Sequence, residues 1–232
     1  KFRGSDGTQL WHYAAFGNTQ VPSIWNGLLY VSVGGRAVGL NMQTGKEVWD
    51  TRLADDQGKE TPYTGAIDGR AFFASDIAPN GGNKKIFAVN ATSGDPLWDY
   101  CPDCEGHGGL WNFYPVFPGD QSVLFMTWTG GVFKLAVDTG KVIWHSPPPE
   151  EYKDSFTDGG VIVGPDGTAY SCTNKAHGGH GTTGAMRAYR GSDGKLLWDK
   201  HLHLPCTSWP AIDQDNSWGV IPLAPFVNPP LL

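Results

Sequence analysis

Short apolar stretches alternate with polar, glycine-containing turns along nearly the whole chain. In one unit of this pattern, four consecutive strands, A to D, are predicted at residues 22–25, 28–33, 36–42 and 47–49. β-Branched and aromatic residues bounded by Gly, Asn and Asp are typical of strands joined by hairpins. Helical periodicity is nearly absent, so the pattern predicts an all-β fold.

One motif, a polar turn followed by a tryptophan, occurs five times, and the tryptophan always stands four residues after the turn glycine. The turn glycines are Gly7, Gly45, Gly94, Gly140 and Gly194, and the tryptophans are Trp11, Trp49, Trp98, Trp144 and Trp198. Successive tryptophans are 38, 49, 46 and 54 residues apart, close to the ~40 to 50 residues of a propeller blade. The spacing therefore predicts repeated four-stranded blades.

Both positions of this motif have a structural explanation. A tight hairpin between strands C and D needs a residue at positive φ, which glycine adopts without steric cost. Alternation along strand D directs the tryptophan sideways, where its large ring fills the wedge between neighbouring blades. We therefore predict that these ten residues pack the blades together rather than bind a ligand.

The Thr-Gly-Lys turns at residues 44–46 and 139–141, each followed by its tryptophan, resemble the tryptophan-docking repeat of the pyrroloquinoline-quinone-type propellers. That family includes quinoprotein alcohol dehydrogenases and the bacterial outer-membrane assembly lipoprotein. The resemblance covers nearly the whole chain and implies a propeller over residues 1–222, followed by a proline-rich apolar tail at 223–232. The motif is architectural, so the resemblance says little about function.

The two ends carry incomplete repeats. The chain begins within a predicted strand C, and the predicted strands A and B at residues 207–212 and 217–221 lack a following C and D. In one interpretation the first hairpin completes the last pair and closes a ring of five blades. In the other, the chain is part of a propeller of seven or eight blades, and the sequence favours this second interpretation slightly.

The charge balance argues against nucleic-acid binding, because 23 acidic residues outnumber 17 Lys and Arg and the basic residues are scattered. A chain with 32 Gly, 10 Trp, 8 Tyr and 11 Phe is not typical of disorder. No apolar run approaches the ~20 residues of a membrane span. We expect protein partners, with membrane association only through them.

Candidate chemistry lies on one predicted face. Antiparallel strands alternate in direction, so the D-to-A and B-to-C connections emerge together at one end of the propeller, here called the loop face. All seven histidines and all four cysteines are predicted on the loop face, at His12, His107, His145, His177, His180, His201, His203, Cys101, Cys104, Cys172 and Cys206. The loop face is therefore the predicted binding surface.

The segment Cys101-Pro102-Asp103-Cys104-Glu105-Gly106-His107 is the sharpest local motif. Two thiols and a histidine provide three zinc ligands, but a closed structural site needs a fourth. Disulfides between Cys101 and Cys104 and between Cys172 and Cys206 are favoured over a metal site or free thiols. Such disulfides indicate a secreted, periplasmic or organelle-lumenal protein.

His177 and His180 stand in a glycine-rich connection, residues 174–181. Two histidines on a flexible loop are candidate metal ligands, although the surrounding groups that orient such ligands are not evident from the sequence. A polar surface loop is the favoured interpretation.

Three functions are compatible with these observations. The favoured hypothesis is a non-catalytic scaffold subunit that binds protein partners, with Trp111 and Tyr114 on an aromatic loop as candidate anchors and no cofactor expected. The alternative implied by the resemblance is a quinoprotein alcohol dehydrogenase with pyrroloquinoline quinone and calcium. A carbohydrate-binding propeller is the third.

The dehydrogenase alternative meets two departures from that family's pattern. The chain has no adjacent-cysteine pair, and Glu105 rather than a histidine follows Cys104, so the haem-attachment motif is absent as well. The family's catalytic residues therefore have no matching positions here, and whether the protein is an enzyme stays open.

Overall fold

The computed structural model describes residues 1–14, 21–55, 63–79, 82–152, 157, 160–174, 183–206, 209–215, 217–221 and 223. This part of the chain is built from β-strands with two short 3₁₀ helices, Asp103–Glu105 and Glu150–Tyr152. The strands are β1 Ser23–Trp25, β2 Leu28–Val33, β3 Arg36–Asn41, β4 Glu47–Arg52, β5 Gly65–Ile67, β6 Arg70–Ile77, β7 Asn83–Asn90, β8 Pro96–Tyr100, β9 Ser122–Met126, β10 Val132–Ala136, β11 Val142–Ser146, β12 Ile162–Val163, β13 Ala169–Asn174, β14 Gly184–Tyr189, β15 Leu196–Leu202, β16 Ala211–Ile212 and β17 Gly219–Val220.

The strands form successive antiparallel sheets in which each strand pairs with the next along the chain. Blade 1 is β1–β4, blade 2 is β5–β8, blade 3 is β9–β11 with Val116 bridged to Leu124, and blade 4 is β12–β15. β16 and β17 form a two-stranded sheet, and residues 1–11 form an N-terminal hairpin with a bridge between Phe2 and Gln9. This topology confirms the predicted all-β fold of four-stranded blades.

The first strand of each blade lies on the inner side of the stack and the fourth on the outer side. β1 and β5 lie against each other, where the Ser23 backbone N–H donates to Thr64 Oγ1 at 2.8 Å. The fourth strands β4, β8 and β15 form one edge of their sheets. Side chains that precede the first strands are therefore brought toward the centre.

The hydrophobic core lies between the blades rather than within one of them. On β6, Phe72 and Ala74 pack toward blade 3, whereas Ala71 and Phe73 pack toward blade 1. Because successive side chains point to opposite faces of a strand, a blade buried on both faces needs a continuous apolar run. This requirement explains why β6 is buried along most of its length.

Four of the motif tryptophans dock on the turn glycine of the following blade. Their indole N–H groups donate to a backbone carbonyl three residues before that glycine, in the pairs Trp11 to Met42 (3.2 Å), Trp49 to Ala91 (3.1 Å), Trp98 to Val137 (3.0 Å) and Trp144 to Gly191 (3.0 Å). A Cβ at the corresponding glycines, Gly45, Gly94, Gly140 and Gly194, would lie only 2.6 Å from the ring. Glycine is thus required twice, for the positive φ and for the close approach of the ring.

The fifth glycine and the fifth tryptophan are not docked on each other. A Cβ on Gly7 would meet no atom within 4 Å, and Trp198 is 37% exposed, whereas Trp49 and Trp144 are 8% and 7% exposed. β17 pairs with β16, and no described residue of the N-terminal hairpin pairs with either strand. Among the described residues, no pairing of the two ends that would close a five-bladed ring is formed.

Candidate functional site

Three aromatic rings from three different blades meet on the loop face. Tyr63 and Trp209 stand two residues before Gly65 and Ala211, the first residues of β5 and β16. Tyr114 likewise stands two residues before Val116, which is bridged to Leu124 of β9. The ring centroids of Tyr63 and Tyr114 are 5.2 Å apart, those of Tyr63 and Trp209 5.7 Å, and those of Tyr114 and Trp209 5.5 Å. We call these three residues the aromatic cluster.

Backbone contacts hold the aromatic cluster together. The Tyr63 N–H donates to the Phe113 carbonyl at 2.9 Å, which joins the segments leading into blades 2 and 3. The indole of Trp209 packs so closely on Gly160 that a Cβ there would overlap its nitrogen. That nitrogen is buried and has no hydrogen-bond partner in the described structure.

The cluster is partly open to solvent, because Tyr114 is 38% exposed. Tyrosine and tryptophan combine a large apolar ring with a polar atom, which is why they are enriched where proteins bind one another. The exposed Tyr114 can therefore supply both apolar contact, through its ring, and a hydrogen bond, through its hydroxyl.

A histidine pair lines a second feature of the loop face, a cavity of about 260 Å³. His107 comes from the connection after β8 and His145 from β11, and their ring centroids are 4.3 Å apart. The walls also include Gly106, Thr129, Gly131, Pro147, Pro148 and Glu150. Thr129 Oγ1 donates to the His107 carbonyl at 3.0 Å and so fixes the loop that carries this histidine.

The surroundings of His145 disfavour its positively charged form. Burial, and then the nearby His107, lower the pKa of His145 to about 4, and Glu105 opposes this effect only in part. On the same loop, the Tyr100 hydroxyl donates to Glu105 at 2.9 Å, and burial followed by this bond raises the pKa of Tyr100. His145 is therefore a neutral imidazole near pH 7.

The cysteines of the loop face are joined in two disulfides, Cys101 with Cys104 and Cys172 with Cys206. The first closes a short loop in which the Cys104 N–H approaches Cys101 Sγ at 3.1 Å. The second ties the end of β13 to the segment that leads toward β16. Oxidised sulfurs are not thiolate ligands, so Cys101 and Cys104 do not form a zinc site with His107 in this structure.

The remaining candidates from the sequence are the metal ligands and the aromatic anchors. Within the described residues, no group of three or more His, Cys, Asp and Glu side chains is arranged to hold a metal ion. His177 and His180 lie outside the described residues, as does the tail from residue 224 onward. Trp111 is half-buried, whereas Tyr114 belongs to the aromatic cluster.

Sequence reasoning missed Tyr63 and Trp209 and did not pair His107 with His145. A signal for the first two was present, because Tyr63-Thr64, Tyr114-Pro115 and Trp209-Pro210 occupy equivalent positions before three inner strands. The histidine pair has no such signal, since it depends on how β11 stacks beside the loop that follows β8.

Repeated blades, docked tryptophans and an inner aromatic cluster define a β-propeller with pyrroloquinoline-quinone-type repeats. The family model described as outer membrane protein assembly factor BamB (PQQ_2) matches residues 1–150. Because this match covers more than half of the chain, the chain belongs to that family.

Two curated relatives carry the names of different enzymes. Tetrathionate hydrolase of Acidithiobacillus ferrooxidans is 26% identical over 212 residues, covering 85% of this chain and 39% of that protein. Quinoprotein alcohol dehydrogenase PedH of Pseudomonas putida is 29% identical over 128 residues, covering 51% of this chain and 20% of that protein. The chain thus spans less than half the length of these two relatives.

A solved structure supports the same fold. The crystal structure of BamB from Moraxella catarrhalis superposes with a TM-score of 0.56 at 17% identity, covering 84% of this chain and 65% of that one. Among the described residues, no helix is both long enough and apolar enough to cross a membrane.

Because some relatives are named as quinoprotein dehydrogenases, the geometry of the loop face is compared with what a quinone and calcium require. A planar cofactor needs two roughly parallel walls, but the rings of the aromatic cluster are inclined to one another by 54° to 83° and fill the space between them. Calcium needs several converging oxygen ligands, and the described acidic groups do not converge in this way. The aromatic cluster therefore does not form a flat slot for this cofactor.

Proposed function

We propose that this chain is a non-catalytic propeller module that binds protein partners through its loop face, as a subunit of a larger assembly. The aromatic cluster carries the proposal, since it places three interface-type side chains at one point and leaves Tyr114 exposed. Tyr and Trp are the residues that most often dominate the binding energy of protein interfaces.

Membership of a family described as an assembly factor supports this role. The excess of acidic over basic residues favours a protein partner over a nucleic acid. Two disulfides fit an oxidising compartment, so we place the protein among secreted, periplasmic or organelle-lumenal proteins.

A photo-crosslinking amino acid at position 114 tests the proposal in the cells that make the protein. Val142, exposed on the outer strand β11, provides the matched control position. We expect a discrete protein adduct from position 114 and not from 142. The partner identified by mass spectrometry is then purified, and Tyr114→Ala is expected to weaken its binding by ~30-fold, whereas Val142→Ala leaves it unchanged.

The alternative, a quinoprotein dehydrogenase, rests on the similarity to PedH. Its test is dye-linked alcohol oxidation by the purified chain supplied with pyrroloquinoline quinone and calcium. Turnover under these conditions, together with equal adducts at positions 114 and 142, would contradict the scaffold proposal. A glycan array provides the corresponding test of a carbohydrate-binding propeller.

A further inference from the structure

Blade 3 departs from the other blades at the pair of residues that lies in register with the motif tryptophan. In blades 1, 2 and 4 the second strand supplies a buried aromatic residue there, and the third strand supplies a small residue. These pairs are Tyr30 with Gly39, Phe72 with Ala88 and Tyr170 with Ala188. In blade 3 the equivalent pair is Leu124 of β9 with Lys134 of β10. At this junction an aromatic ring is therefore absent and a charged group is present.

A cavity lies where blade 3 lacks the ring. In blades 1 and 2 the aromatic residue packs beside the tryptophan, with ring centroids 6.0 Å apart for Tyr30 and Trp49 and 5.8 Å apart for Phe72 and Trp98. Leu124 is smaller than these rings, and it lines a cavity of about 450 Å³ between blades 3 and 4. That volume falls within the range of about 300–1,000 Å³ that is usual for small-molecule sites.

Lys134 brings a buried positive charge to the wall of this cavity. Its side chain is 6% exposed, and Nζ donates to Asp120 Oδ2 at 2.6 Å and to the Gly191 carbonyl at 2.8 Å. An ammonium group has three hydrogen-bond donors, and the third has no partner among the described residues. An oxygen atom of a ligand in the cavity can accept this third hydrogen bond.

The remaining walls combine balanced charge with apolar surface. The two cations that line the cavity, Lys134 and Arg190, are matched by two carboxylates, Asp120 and Asp166. Apolar surface comes from Pro118, Leu124, Val163 and Pro165, and hydroxyl groups come from Thr168 and Ser192. Because the charges cancel, the walls favour an uncharged ligand over an ion. Hydroxyl groups suit such walls, since each one both donates and accepts hydrogen bonds.

The cavity opens at the end of the propeller opposite the loop face. Its residues at 118–120 and 164–168 lie in turns between first and second strands, and those at 190–192 lie in the turn between β14 and β15. Such turns emerge together at one end of a four-stranded blade stack. A ligand in the cavity is thus far from the aromatic cluster, and the inference below does not depend on the loop-face proposal.

We propose that this cavity binds an uncharged polyhydroxylated molecule of the size of a monosaccharide. One of its hydroxyl oxygens accepts a hydrogen bond from Lys134 at the buried end. Other hydroxyls donate to the carboxylates of Asp120 and Asp166, since a carboxylate has about four acceptor positions and keeps some of them when it already has partners. The carbon skeleton of the ligand packs on the apolar walls, and Ser192, which is exposed, donates from the rim.

Nitrogen-15 HSQC titrations of the purified chain measure binding and locate it. The uncharged probes are glucose, galactose, mannose, xylose and myo-inositol, and inorganic phosphate and glycine are the charged comparisons. We expect saturable shifts with at least one uncharged probe, with a Kd of about 1 mM or tighter. The shifted amides should include those of Gly167 and Gly191, which line the cavity.

Two variants test whether the cavity is the site. The double substitution Leu124→Phe with Lys134→Ala recreates the pair of blade 2, so a ring takes the place of the ligand and we expect binding to be lost. Ser192→Ala removes one hydroxyl from the rim and should weaken binding by ~3- to 10-fold. Thr92→Ala is its matched control, because Thr92 is also exposed and also stands two residues before a turn glycine, in blade 2. This control should bind like the wild type.

The proposal is overturned if none of the five uncharged probes gives saturable shifts, or if only phosphate or glycine does. It is equally overturned if either cavity variant, with the dispersed spectrum of a folded chain, binds the sugar as tightly as the wild type. If the double variant does not fold, Ser192→Ala against Thr92→Ala decides the question alone, since both changes lie on exposed turns.

Discussion

His145 lies flat against Phe133, with ring centroids 4.0 Å apart and 12° between the planes. Its other neighbour is His107, at 4.3 Å. A neutral imidazole fits this place, whereas a charged one would lose hydration and meet a second histidine. One side chain thereby makes the packing of blade 3 sensitive to acid.

The pH dependence of stability tests this interpretation. Because the pKa of His145 in the folded state is about 4 and its ordinary value is 6.5, the unfolded chain binds the proton first as the pH falls. The stability contributed by neutral His145 is complete above pH 6.5 and declines between about pH 6.5 and 4. We expect His145→Phe, which retains a stacked ring, to lose less unfolding free energy over this range than the wild type.

Urea unfolding at several pH values between 7 and 4 measures the effect, with His201→Phe at an exposed position of β15 as the control. The control should follow the wild-type profile. Parallel profiles for wild type and His145→Phe would show that His145 is not responsible for the acid sensitivity.

At the scale of an element, the hairpin between the third and fourth strands is the unit that joins blades. A register shift recurs in each of the four blades six residues before the turn glycine, between Gly39 and Leu40 in blade 1 and at the equivalent positions in the others. Such a bulge increases the local twist of a strand pair. The hairpin therefore combines a bulge, a glycine turn and a docked tryptophan in one structural device.

Alanine substitutions at two turn glycines separate the backbone effect from the docking effect. Gly7→Ala and Gly94→Ala both place a Cβ at positive φ, which costs about 1–2 kcal/mol. Only at Gly94 does the new methyl group collide with a ring, that of Trp49 at 2.6 Å, and overpacking of this kind adds about 1–3 kcal/mol. Denaturant unfolding should show the larger loss for Gly94→Ala, and equal losses would mean that docking contributes nothing.

At the scale of the whole molecule, stability is distributed through contacts between neighbouring blades. The clusters of buried residues each join two adjacent blades, and the last one joins blade 4 to Ile212 and Ile221. In a stack of this kind the interior units have two neighbours and the terminal units one. The interior blades should therefore open last.

Hydrogen–deuterium exchange at dilute concentration tests that order. We expect the slowest exchange in β6 and β10, which are buried along most of their length, and the fastest in the N-terminal hairpin and β17, which are exposed. Uniform protection from one end to the other would indicate a single cooperative unit instead.

The sequence by itself determined the repeated architecture. The predicted strands at 22–25, 28–33, 36–42 and 47–49 correspond closely to β1–β4. The resemblance to the pyrroloquinoline-quinone-type propellers is confirmed by the family match. These features were readable because strand alternation, a glycine at positive φ and a tryptophan four residues later all depend on residues close together in the chain.

Only the tertiary structure decided which distant residues meet. Trp209 lies against Tyr63, and His107 faces His145. These contacts depend on how the blades stack, and the local pattern of a repeat does not specify that stacking. For this reason the sequence predicted the docking motif, while the tertiary structure decided which residues of different blades lie together.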